Sequence, residues 1–217
     1  MSYVSKEAAP ERSSELRSLS KEQTQPSLEV DLIPLEHSLR QLFHEVVSEC
    51  YDSRLGLRDA EISSYVADLL TEFCRTDNIY RIRDAGGNPV REVGEMLLAS
   101  DPVHGTASSF VEERERRKHI GDYTLFCTGM YPESMDCWGE RQRDSFLQMV
   151  QAGKESYYIV SQFDVFEYAQ EAPFFARLSG SFEACIYGLN MVRGELDRRK
   201  AISPPRSSSS GQSTRIM

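Results

Sequence analysis

Residues 173–196 read PFFARLSGSFEACIYGLNMVRGEL. Phe175, Leu178, Phe182, Cys185, Leu189, Val192 and Leu196 step by three and four in alternation, which holds an apolar seam on one side of a helix for three heptads. Pro173 suits the first turn of that helix, where its missing N–H would have no partner. On a different side Ala176, Gly180, Ala184 and Gly188 step by fours. Small residues in such a row let another helix backbone approach closely, and glycine inside a helix costs about 1 kcal/mol against alanine, so packing should compensate. The approaching helix can belong to the same chain or to a second copy. The last helix is therefore also where a homo-oligomer or a protein partner would dock.

Working upstream, the same periodicity recurs. From Ile33 to Cys50 the residues Leu35, Leu39, Leu42, Phe43, Val46 and Cys50 form one face of a helix, with His37 and His44 together on a nearly opposite, solvated face. A second helix is predicted over Asp59–Arg75, capped by Asp59. Residues 78–89 show a short alternation and then Gly86-Gly87-Asn88-Pro89, which is the chemistry of a loop or small hairpin. A third helix should cover Val90–Ala99 and stop before Asp101-Pro102. A fourth runs from about Ala107 to Gly129, charged in its first half and apolar in its second. A fifth helical region spans roughly Cys137 to Ala169, with Gly153 as a candidate break. The expectation is an all-α single domain over residues 29–198, a bundle of five to seven helices. Disordered tails are expected at 1–28 and at 199–217, because neither end has enough apolar surface to offset the entropy of ordering.

The 217 residues give room for one core of ordinary size. A net charge of −9 is unevenly spread: residues 199–217 hold four basic groups and no acidic one, so the body is more acidic than the whole. Such a body repels phosphate backbones, and nucleic acid is not an expected partner. No run of residues is long and apolar enough for a spanning helix, so no membrane is expected either. Five cysteines without a CxxC pair disfavour disulfide frameworks and zinc ribbons, and fit a reducing cytoplasm.

Nucleotide loops, the Ser elbow of hydrolases and the zincin motif are missing; Gly153-Lys154 lacks the upstream glycine, and His44-Glu45 has no second histidine at the right spacing. No cofactor and no metal is expected. One constellation remains. Glu115, His119, Asp122 and Tyr123 fall within two helical turns, with Glu115 and Tyr123 each four residues from His119. A carboxylate raises the pKa of a neighbouring histidine, so His119 can serve as a general base or a single metal ligand, or it can be a half-buried ring bonded to those neighbours. Two functions stay open: a non-enzymatic soluble helical interaction module, and a small-molecule-binding or enzymatic bundle with its site around His119.

The run His119–Ser134, with Gly121-Asp122, Leu125-Phe126 and Gly129-Met130-Tyr131, resembles the central motif of a family of uncharacterised bacterial helical proteins. Ser156-Tyr157-Tyr158-Ile159 and Phe174-Phe175-Ala176-Arg177-Leu178 resemble its next two blocks, and the likeness covers roughly residues 60–195. The resemblance implies a bacterial, cytoplasmic, all-helical protein, and it transfers no catalytic residue.

Overall fold

Asp59 closes the first turn of the helix Ala60–Phe73 by accepting from the N–H groups of Glu61 (3.1 Å) and Ile62 (3.2 Å). Ser109 caps Phe110–Met130 in the same way, through the Glu112 N–H. These two starts agree with the sequence to within a few residues. The computed structural model describes residues 32–84, 86–133 and 140–202; the side chains of 32–37 and 140–144 are outside that description, as are residues 1–31 and 203–217, where most of both expected tails fall.

In chain order the α-helices are α1 (Leu32–Ser48), α2 (Ala60–Phe73), the single turn α3 (Thr76–Ile79), α4 (Val93–Ser100), α5 (Phe110–Met130), α6 (Glu140–Ser161), α7 (Ala172–Gly180) and α8 (Phe182–Ile202). The fold is all-α: among the described residues strand pairing is limited to one isolated bridge, Arg83 to Pro89, at the small turn expected there. After α1 the chain continues as a wider π-helical stretch, Glu49–Leu55, which lets the adjacent Cys50 and Tyr51 both reach the core before Gly56 ends it at φ 76°. The α5 helix packs against α4, α6 and α8.

The seam is present but its helix is not continuous. Phe175, Leu178, Phe182, Cys185, Leu189 and Val192 are all buried in one core with Tyr51, Val66, Leu70, Leu125 and Tyr157, and Leu196 packs against it. Ser181 interrupts the helix as a single turn residue, its N–H shared between the carbonyls of Arg177 (2.9 Å) and Leu178 (3.2 Å). One residue of turn keeps the seam facing the same way.

The small-residue row is corrected by this break. Ala176 and Gly180 lie exposed on α7, Gly180 with open space where a Cβ would stand. Ala184 is half-buried on α8, and Gly188 alone is approached closely, by the Tyr51 ring rather than a helix backbone. The four are thus no continuous helix-packing stripe within the chain. Gly153 is likewise not a break: α6 passes through it unbroken, and the glycine there admits Phe182 and Thr124, with which a Cβ would collide. At the other end α8 continues through Ile202, past the expected boundary at 199, because Arg199 is held by Glu45 (3.0 Å), Glu49 (3.2 Å) and Glu195 (3.0 Å).

Candidate functional site

The four residues singled out on α5 go to three different places. Asp122 turns inward. Its Oδ1 accepts from the hydroxyls of Tyr65 and Tyr157 (2.7 Å for the latter), while its Oδ2 faces the Lys118 ammonium at 2.8 Å. Burial, and then the Asp122 carboxylate, hold both phenols well above their ordinary pKa, so they remain donors. For Lys118 burial opposes the ammonium, but Asp122 outweighs it and the pKa is raised. Aromatic rings close the surroundings, with Tyr65 against Phe174 (5.1 Å) and Phe175 (5.9 Å), and Tyr157 against Phe182 (5.9 Å). Gly121 makes the arrangement possible, since a Cβ there would stand 2.5 Å from the Tyr157 ring. The Gly-Asp pair of the motif is therefore the seat of Tyr157: glycine clears space for the ring and aspartate receives its hydroxyl.

His119 is also buried, but it points elsewhere. Its Nε2 lies 3.1 Å from the Ile79 carbonyl, which can only accept, so Nε2 carries the proton. Burial pushes its pKa down, more strongly than the Asp122 charge pulls it up. Glu115, exposed, pairs with Arg114 at 2.6 Å rather than with His119. Glu115 and His119 border a cleft of about 390 Å³ with Arg81 and Arg83 of the loop and Glu112 and Arg116 of α5. Arg116 is already committed to the Ala99 carbonyl (2.5 Å), to Thr106 (2.6 Å) and to Glu112.

Tyr123 faces a third place, an open groove of about 750 Å³ between α4 and α6 with α5 as its floor. Its hydroxyl donates to the Arg91 carbonyl at 3.3 Å, and burial holds its pKa far above the ordinary phenol value. Val93, Leu97 and Met149 give the groove apolar walls, with Glu92 and Glu155 among its polar groups.

Lys118 was legible as a partner of Asp122, four residues away on one helix. Tyr65 and Tyr157, 57 and 35 residues distant, had no local signal beyond the glycine beside Asp122. Arg114 was missed too. It is buried, paired with Glu171 at 2.5 Å and stacked over the Tyr168 ring at 4.0 Å, so it ties the connection before α7 to α5. His44 meets Asp68 at 3.0 Å, and His37 lies outside the described side chains. Among the described residues no three His, Cys, Asp or Glu are placed to hold a metal ion, and no helix is long and apolar enough to cross a membrane. The four described cysteines are unpaired, with burial raising the Cys127 thiol to about 11 and Cys185 to about 12. No family model, no curated protein and no solved structure matches the chain.

Proposed function

We propose that this chain is a non-enzymatic helical binding module of the bacterial cytoplasm, one of the proteins whose Gly-Asp motif it resembles, and that the groove between α4 and α6 receives its ligand. The observation that carries the reading is the groove itself. At about 750 Å³, with walls from separate helices, it falls in the size range of sites for small organic molecules. The two buried titratable groups of the α5 constellation are committed away from the groove: Asp122 to two tyrosines and a lysine, and the Nε2 proton of His119 to Ile79. The unpaired cysteines fit a reducing compartment.

The test is a ligand-observed NMR screen of small fragments against the wild type and Gly94→Trp. Gly94 borders the groove on α4 and has open space at its Cβ position, so a tryptophan can start there unhindered and place its bulk at the groove. Fragments should bind the wild type and lose the variant. A screen in which no fragment distinguishes the two proteins rejects the groove as the site.

A second reading, docking of another copy or a protein partner on the last helices, rests on Tyr187, 61 % exposed on α8, and on the open space at Gly180. Gly180→Leu would then convert a dimer to a folded monomer in light scattering; an unchanged mass rejects it.

A further inference from the structure

We propose that the groove between α4 and α6 takes an organic cation with an apolar body, Glu92 and Glu155 supplying the counter-charge; this rests on the binding-module reading above. The two carboxylates border the groove from different helices, Glu92 just before α4 and Glu155 on α6. Both are exposed, and neither takes part in an ion pair or side-chain hydrogen bond among the described residues. Glu92 occupies the N-cap position of α4, yet its side chain does not cap the helix. Among the described residues many acidic groups are paired, as Glu195 is with three arginines, Glu112 with Arg116 and Ser108, and Asp59 with Arg177. The two groove carboxylates are not so paired, and both border the same cavity.

The one basic group described at the groove is already engaged. Arg91 sits over the Tyr80 ring at 5.1 Å, and its carbonyl receives the Tyr123 hydroxyl. Tyr123, kept neutral by burial, contributes a phenol and no charge. An anion entering here would meet two carboxylates against the single guanidinium of Arg91, in a chain of net charge −9, whereas a cation is drawn in by both carboxylates. Leu97, Met149 and Val93 then set the other requirement, an apolar body to cover them. A bare metal ion or a small hydrated amine would leave that wall wet.

Two dyes of similar size and opposite charge test the assignment: thioflavin T, an aromatic cation, and 1-anilinonaphthalene-8-sulfonate, an aromatic anion, each titrated by fluorescence into the full chain. The expected result is saturable 1:1 binding of thioflavin T, weakened about tenfold in Glu92→Gln/Glu155→Gln and lost in Gly94→Trp, with no saturable binding of the anion. The substituted side chains are exposed or face open space, so the variants should melt like the wild type, and circular dichroism checks this. Saturable binding of the anion that Gly94→Trp removes, or thioflavin T binding unmoved by the double variant, overturns the cationic class and leaves the groove standing. No binding of either dye that depends on position 94 overturns the class and the groove together.

Discussion

Asp122 holds together groups from three helices, and its loss would be felt in each. Asp122→Ala strands the Lys118 ammonium, 28 % exposed, and two buried hydroxyls without their acceptor. A broken buried ion pair costs about 3–5 kcal/mol, and Lys118 retains some water, so a loss of about 2–4 kcal/mol is expected in urea unfolding. Tyr157→Phe removes a single donor and should cost about 1–2 kcal/mol. An Asp122→Ala variant no weaker than Tyr157→Phe would show that the carboxylate is not the hub. Phe166 sits at the opposite extreme, 89 % exposed with φ 53°, a left-handed conformation that bulky side chains adopt at a cost. Asparagine tolerates that region, so Phe166→Asn should stabilise by about 0.5–1 kcal/mol. A lower unfolding midpoint would show that the ring contributes more than its backbone costs.

At the scale of elements, two glycines inside long helices should respond with opposite signs. Gly121 on α5 faces the Tyr157 ring, where an added methyl meets carbon at 2.5 Å; Gly194 on α8 has open space. Helix propensity alone favours alanine at both by about 1 kcal/mol. Gly194→Ala should realise most of that gain, while Gly121→Ala should lose about 1–3 kcal/mol because the overpacked ring cannot retreat. Equal responses in thermal melts would mean that α5 and α6 are not in close contact at that point. The contrast also shows what periodicity conveys. The seam from Phe175 to Val192 was legible because burying an apolar face needs only the helical spacing of side chains, which the one-residue turn between α7 and α8 preserves. Whether Gly180 or Gly121 is the crowded glycine depends on what another helix brings to it, and a one-residue turn at Ser181 was enough to dissolve the small-residue row. The same limit applied to the candidate site: Glu115, His119, Asp122 and Tyr123 share a stretch of α5, yet the partners that separate them, Ile79, Tyr65, Tyr157 and Arg91, arrive from other parts of the chain.

For the molecule as a whole, these partnerships fix how stability should vary with pH. Burial lowers the pKa of His119 below 6.5 in the folded state, so as pH falls through 6.5 the unfolded chain takes up a proton first and stability declines until the folded pKa is passed. A second decline comes from carboxylates held low in the fold. Glu195, paired with Arg198 and Arg199, and Glu112, bonded to Ser108 and Arg116, are both brought from 4.5 to about 2. Their contribution is complete above 4.5 and is lost as pH drops toward 2. Two separate slopes are therefore expected in urea midpoints between pH 8 and 2. His119→Gln keeps a donor for the Ile79 carbonyl and cannot titrate, so it should flatten the slope just below pH 6.5 and leave the acid slope in place. Glu195→Gln should do the reverse, weakening the protein near neutrality, where Arg54, Arg198 and Arg199 lose their shared anion, and reducing the further loss below pH 4.5. Each variant is judged by the slope within its own window rather than by its absolute stability. If His119→Gln declines between pH 7 and 5 as steeply as the wild type, the histidine is not held neutral by its surroundings, and the 390 Å³ cleft beside it becomes a place where a protonatable base is free to act.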